Sequence, residues 1–152
     1  MISERLKELG IVLPHAFPPA GNYLASVVDD GLVYVGGHGP IDGDHIIRGK
    51  VGGDLSLEAG RAAARLAATS IMATLQEELG DLDRIERIVK MFGMVNVAPG
   101  FNHTPAVIDG CSDLLIEVFG EAGRHTRSAV GLAELPFDIA VEIELIARLK
   151  AD

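Results

Sequence analysis

The sequence predicts an α+β domain: one β-sheet with two main helices on one of its faces. Three observations carry that expectation. Apolar residues between Ser56 and Gly80 recur at helical spacing, Ile88–Val97 is a strongly strand-like run, and the elements follow one another as (α)ββ(β)αβαββ. The 152 residues suit a single domain, 1–152, with a short helical extension over about 1–19.

Residues 3–9 form a short helix that Gly10 stops, and Pro14, Pro18 and Pro19 keep the following stretch extended. Tyr23–Val28, the turn Asp29-Asp30-Gly31 and Leu32–Val35 read as a β-hairpin, because Asp-Gly accepts the backbone that a tight turn needs. Ile46–Val51 is a third short strand. Asp54 or Ser56 caps the long helix, and Gly80 ends it. Gly60, Ala64, Ala68, Ile71, Leu75 and Leu79 make one face, small enough to lie close against a sheet, with Arg61, Arg65 and Gln76 on the wetter side. Thr104–Phe119 is the second helix, with Thr104 as cap and Pro105 in its first turn. Ser128–Leu135 and Ile139–Leu149 close the chain as strands split by Pro136. Val33, Val35, Val89, Met91 and Val95 give the sheet more apolar surface than two helices on one face account for, which points to another subunit as cover.

Composition narrows the function. Residues of the AVILMFWYC set make up 48%, enough for a core without disulfides or metal. The net charge is −9 and no three basic residues adjoin, so neither a nucleic acid nor an anionic membrane is an expected partner. No apolar stretch approaches the roughly 20 residues that span a bilayer, and the charged start MISERLKELG is no signal peptide; the expected location is cytoplasmic. Cys111 is the only cysteine, which excludes an intrachain disulfide. The five histidines (15, 38, 45, 103 and 125) form no His-x-His or His-x-x-x-His pair, so no metal site is expected.

Two segments could carry chemistry. Arg127 stands where a polar turn, Gly123-Arg124-His125-Thr126, runs into an apolar strand. A guanidinium held there matches a carboxylate with two hydrogen bonds, although a surface arginine at a strand start reads the same way. In Val141-Glu142-Ile143-Glu144-Leu145, alternation puts both glutamates on one face, where they can orient water or simply meet solvent. Gly36-Gly37-His38-Gly39 lacks a nucleotide-loop pattern, but its backbone N–H groups are available to an oxyanion. Cys111 reads as a buried, inert thiol. Ser56, Ser70 and Ser112 lack a Gly-x-Ser-x-Gly frame.

Taken together, these segments resemble the YjgF/RidA family, the reactive-intermediate enamine/imine deaminases also known as L-PSP endoribonuclease-like or translation-inhibitor proteins. The resemblance rests on Arg127-Ser128-Ala129-Val130-Gly131, Glu134-Leu135-Pro136 and Val141-Glu142-Ile143-Glu144, and on Gly21-Asn22-Tyr23 followed by Leu32–Pro40. It spans roughly residues 20–149. It implies a chorismate-mutase-like fold with a mixed sheet, a homotrimer with clefts between subunits, and hydrolysis of imino or enamino acids without a cofactor. By motif position Arg127 would grip the substrate carboxylate, Glu142 would orient the attacking water, and Tyr23, Gly37, His38 and Cys111 would line the cleft. The chain departs from the family pattern at His125-Thr126, at His38, and at Gly110-Cys111-Ser112, where many members carry an asparagine. This marks a divergent subgroup. A non-catalytic carboxylate-binding protein and, further off, an endoribonuclease are the alternatives.

Overall fold

The computed structural model describes residues 1–151. The chain opens with helix α1 (Ile2–Glu8), which ends where Gly10 turns left-handed at φ +68°. Its first backbone N–H is pinned by the Asp83 carboxylate at 3.1 Å, far along the sequence. A long extended segment then leads to strand β1 (Ser26–Asp29), which pairs with β2 (Leu32–His38) across the two-residue turn Asp30-Gly31. Both turn residues have positive φ, +48° and +73°, the geometry that matches the twist of a hairpin and that Asp-Gly tolerates.

A single strand over 46–51 does not form. Ile41–Asp42 (β3) and His45–Ile46 (β4) make a miniature hairpin around Gly43, and beyond it the chain makes isolated bridges from Arg48 to Ile139 and from Val51 to Leu55 and Val97. Gly49, between Arg48 and Val51, and Gly52, just past them, both have positive φ and break the extended path.

Helix α2 (Leu57–Leu79) starts at Ser56, whose Oγ accepts from Ala59 N at 3.1 Å, and ends at Gly80 with φ +76°. Asp54 instead accepts from Lys50 N in the preceding loop. Strand β5 (Ile85–Asn96), helix α3 (Thr104–Phe119) and strand β6 (Thr126–Leu132) form a parallel β-α-β unit. Thr104 is not the cap of α3. His103 holds that position without a side-chain bond, and the Thr104 hydroxyl donates to Ala129 O of β6 at 3.0 Å. Strand β7 (Val141–Leu149) follows a tight turn at Pro136–Asp138 and inserts in the middle of the sheet. The order is β1-β2-β7-β5-β6, antiparallel except for β5–β6, so the sheet is mixed.

Helices α2 and α3 cover one face. Val33, Val35, Ile88, Met91, Val95, Ile143 and Leu145 are buried beneath them. The apolar residues expected to need a second subunit are therefore largely the ones the chain covers itself. The opposite face nonetheless has a row of its own: Val27, Tyr34 and Ile146 lie side by side, with Phe92, Met94 and Val130 beyond them. Val27, Tyr34 and Val130 are exposed.

The small face of α2 serves its neighbour helix as well as the sheet. A Cβ on Gly60 would meet Val51 and Val107 at about 3 Å, and a Cβ on Gly110 of α3 would land on the carbonyl of Arg61. The two helix backbones touch there. On the outer side Arg61 pairs with Asp113, and Arg65 with Glu117 at 2.8 Å.

Candidate functional site

The pairing of β2 with β7 slips by one residue between Val35 and His38, a bulge at Gly36-Gly37. Beside it lies a pocket of about 450 Å³. Its floor is Gly37 and Glu142, and the segment around Phe17–Tyr23, the β3–β4 hairpin and the turn before β7 close around it. Gly37 is there for space: a Cβ on it would sit 2.9 Å from Glu142 Cδ. Only glycine lets the carboxyl group lie over the bulge.

Glu142 is half-buried, and among the described residues it has no hydrogen-bond or ion-pair partner. Burial pushes its pKa up, and the neighbouring Glu144 charge adds to that. A carboxylate that is partly desolvated and has no partner in the chain is more basic than one on the open surface. That is the state a proton acceptor for water needs.

Tyr23 stands at the rim, 56% exposed, with its hydroxyl accepting from Ala20 N at 3.1 Å. His38 borders the pocket, yet its ring is fully used. Nδ1 donates to Gly36 O at 2.7 Å, so Nε2 is left to accept from the Thr74 hydroxyl, also at 2.7 Å. Burial holds its pKa below the ordinary histidine value, against the raising effect of the Gly36 carbonyl. The ring braces the bulge against α2 as a neutral imidazole.

Arg127 lies elsewhere. It is in register with buried Met91, which puts it on the helix-covered face of the edge strand β6, while Glu142 is in register with Met94 on the other face of β7. Two strand spacings, about 10 Å, also separate them. Arg127 Nη1 donates to Ser112 Oγ at 2.8 Å, Nη2 donates to Pro105 O at 3.0 Å, and Asp109 Oδ1 is 2.8 Å from Nη2. Of its five N–H donors some remain for a ligand.

Ser112 is held in turn. Its hydroxyl lies 3.0 Å from His125 Nε2, and His125 Nδ1 donates to Gly123 O at 2.6 Å, so the serine gives its proton to a neutral imidazole. Burial lowers the pKa of His125, with Gly123 opposing and the Arg127 charge adding to the effect. The run Arg127–Ser112–His125–Gly123 fixes the guanidinium plane. Cys111 has no exposed surface, lies outside the pocket, and has its pKa pushed up to about 12 by burial. The expectation that it lines a substrate site gives way to a core thiol.

One chain thus gathers Tyr23, Gly37, His38 and Glu142 in one pocket and sets Arg127 apart with Asp109, Ser112 and His125. The sequence reading missed Asp109, Ser112 and His125 as a group. Its signal was a polar pair three residues apart on one side of the helix, Asp109 and Ser112. Arg48, Phe17 and Phe137 of the pocket had no motif at all. Among the described residues no cluster of His, Cys, Asp or Glu fits a metal ion, and no helix is long and apolar enough to cross a membrane.

Residues 3–149 match the family described as "YjgF/chorismate mutase-like, putative endoribonuclease". Protein TCP17 of Trypanosoma cruzi is 42% identical over 150 residues, covering 97% of this chain and 94% of its own. The crystal structure of Atu1372 from Agrobacterium tumefaciens superimposes with a TM-score of 0.91 at 41% identity, over 98% of this chain and 92% of its own. A Shewanella oneidensis MR-1 protein crystallised under the same endoribonuclease description gives 0.94 at 33% identity, over 98% and 99%. The match along nearly the full length, together with the mixed five-stranded sheet and its two covering helices, places the chain in the YjgF/chorismate mutase-like family.

Proposed function

We propose that this protein hydrolyses reactive 2-imino and enamino acids to 2-oxo acids and ammonia, without a cofactor. The observation that carries the reading is Glu142: an unpartnered carboxylate with a raised pKa, set over a glycine bulge at the floor of a pocket. Glu142 accepts a proton from water as the water oxygen bonds to the imine carbon. That proton passes to nitrogen, and the resulting carbinolamine collapses to the 2-oxo acid and ammonia. The imine carbon is already electrophilic, so positioning and one basic group suffice.

Arg127 holds the substrate carboxylate in this scheme. Since it lies on the other face of its own sheet, the arginine of each site comes from a neighbouring subunit. The exposed row of Val27, Tyr34 and Val130 is the surface such a neighbour would cover. The expected assembly is a homotrimer, and light scattering that returned a stable monomer at micromolar concentration would end both the assembly and the shared site.

Arg127→Lys keeps the charge and loses the fork and the bond to Ser112. It should cut kcat/KM for imine hydrolysis by about 10²-fold, the order of a lost bidentate carboxylate contact, with circular dichroism unchanged. Undiminished ammonia release would leave Arg127 as a structural partner of Asp109.

A second reading, a carboxylate-binding protein without turnover, is favoured by one observation: His38, at the pocket, has both ring nitrogens engaged by Gly36 and Thr74 and offers no group for proton transfer. Ammonia release from imines formed in situ by an amino-acid oxidase or a threonine dehydratase separates the two. Binding of 2-oxo acids with hydrolysis no faster than the uncatalysed rate would select the binder. RNA cleavage has the least support, given the net charge of −9.

A further inference from the structure

The pocket has a polar floor but a mostly apolar wall. Phe17 and Pro18 come from the extended segment, Tyr23 from the approach to β1, and Phe137 and Ile139 from the turn before β7. Phe17, Tyr23 and Phe137 keep 47%, 56% and 71% of their surface exposed. Open rings around a carboxylate floor are what the side chain of a bound molecule would cover. The volume of about 450 Å³ also exceeds what a three-carbon imino acid fills; cavities of roughly 300–1,000 Å³ take far larger ligands.

Phe137 is presented under strain. It and Asp138 have φ of +59° and +57°, a region that bulky residues avoid. Three contacts hold the pair there. Arg48 Nε donates to Phe137 O at 3.1 Å, Gly49 N donates to Asp138 O at 2.8 Å, and Asn96 Nδ2 donates to Asp138 Oδ1 at 3.0 Å. Asn96 is fully buried and takes a further bond from Lys50 Nζ at 2.9 Å. The turn is over-determined, and it presents an aromatic ring at the pocket rather than in the core.

We propose that the pocket selects 2-imino acids, and their 2-oxo acid products, that carry a large apolar side chain, aromatic or branched. Phe137 is the specificity-determining residue and Arg48 its positioning residue. The proposal rests on the hydrolase reading for the identity of the reacting group, but its selectivity concerns the wall and is read by binding alone. A phenyl-sized group buried there favours binding over a methyl group by about 10–100-fold, from the apolar area removed from water.

The test is calorimetric titration with phenylpyruvate and with pyruvate, alongside ammonia release from imines formed in situ from phenylalanine and from alanine. The wild type should prefer phenylpyruvate by about 10–100-fold, and the kcat/KM ratio should follow. Phe137→Ala and Phe137→Gly, the second of which relieves the strained φ, should each shrink the preference several-fold. Arg48→Met should raise KM for the phenylalanine-derived imine with little change in kcat. Pyruvate binding as tightly as phenylpyruvate, binding of neither, or a preference unchanged in both Phe137 variants overturns the proposal. If phenylpyruvate is preferred but no imine is hydrolysed, the selectivity stands and the hydrolase reading falls. If alanine-derived imine is the better substrate, the hydrolase reading stands and the selectivity falls.

Discussion

Replacing Glu142 by glutamine should lower ammonia release by about 10²–10⁴-fold, the usual contribution of a general acid–base group. The amide keeps the shape that Gly37 accommodates but has no basic oxygen to polarise water. Binding of a 2-oxo acid should survive, since the wall and the arginine are untouched. Glu144→Gln, on an exposed residue of the same strand, should be far milder. A larger loss at Glu144 would move the catalytic role two residues along β7. Stability should change in the opposite sense to activity. Burial raises the Glu142 pKa in the folded chain. Well below the ordinary carboxylate value of about 4.3, both states hold the proton and nothing is lost. As pH rises from there through the raised value, the unfolded chain ionises first, and the folded state becomes relatively less stable. Glutamine removes that cost. The variant should therefore melt higher than the wild type near neutral pH and converge with it in acid. Equal melting at every pH would show the carboxylate to be better solvated than its position indicates.

Gly110→Ala should cost about 3 kcal/mol, at the upper end of overpacking effects. Glycine in a helix interior normally concedes about 1 kcal/mol to alanine, so its presence in α3 needs a reason. The reason is the Arg61 carbonyl of α2, on which the new Cβ would fall. No rotamer change relieves a clash with backbone, so the helices must separate. For a domain of this size the midpoint of thermal unfolding should drop by roughly 6–12 °C. Gly60→Ala is the comparison, because its Cβ would meet valine methyl groups at 2.9–3.3 Å that can shift. A smaller loss at Gly110 than at Gly60 would mean that the two helices slide past each other freely.

The helices and the hairpin turn were legible because each rests on local chemistry: Ser56 and Gly80 at the ends of α2, Asp30-Gly31 in the turn, the 3.6-residue rhythm between. The stretch 46–51 misled because Ile46 and Val51 look like strand residues while Gly49 and Gly52 set the actual path. The face of the sheet that lacks cover was misassigned for a related reason. Alternation says which residues share a face, but which face the helices take depends on crossings that local spacing does not encode. In the site, the pair Glu142 and Glu144 and the glycine run at 36–39 could be picked out from their short segments, and the family resemblance chose Glu142 and Gly37 among them. The hold on Arg127 could not, because Asp109, Ser112 and His125 meet it only when α3 is laid across β6. Nor could the wall of the pocket, which draws on residues 17, 48 and 137.

The burial of Cys111 bears on how a chain with the proposed activity would withstand its substrates. It is the only cysteine in the chain, it has no exposed surface, and its thiol is pushed up to about 12. Sulfur attacks as thiolate, and here almost none exists at neutral pH and none is within reach. Electrophilic double bonds, the C=N of imino acids included, add accessible thiols. A folded chain that offers them no sulfur can meet such compounds through many cycles without being consumed by them.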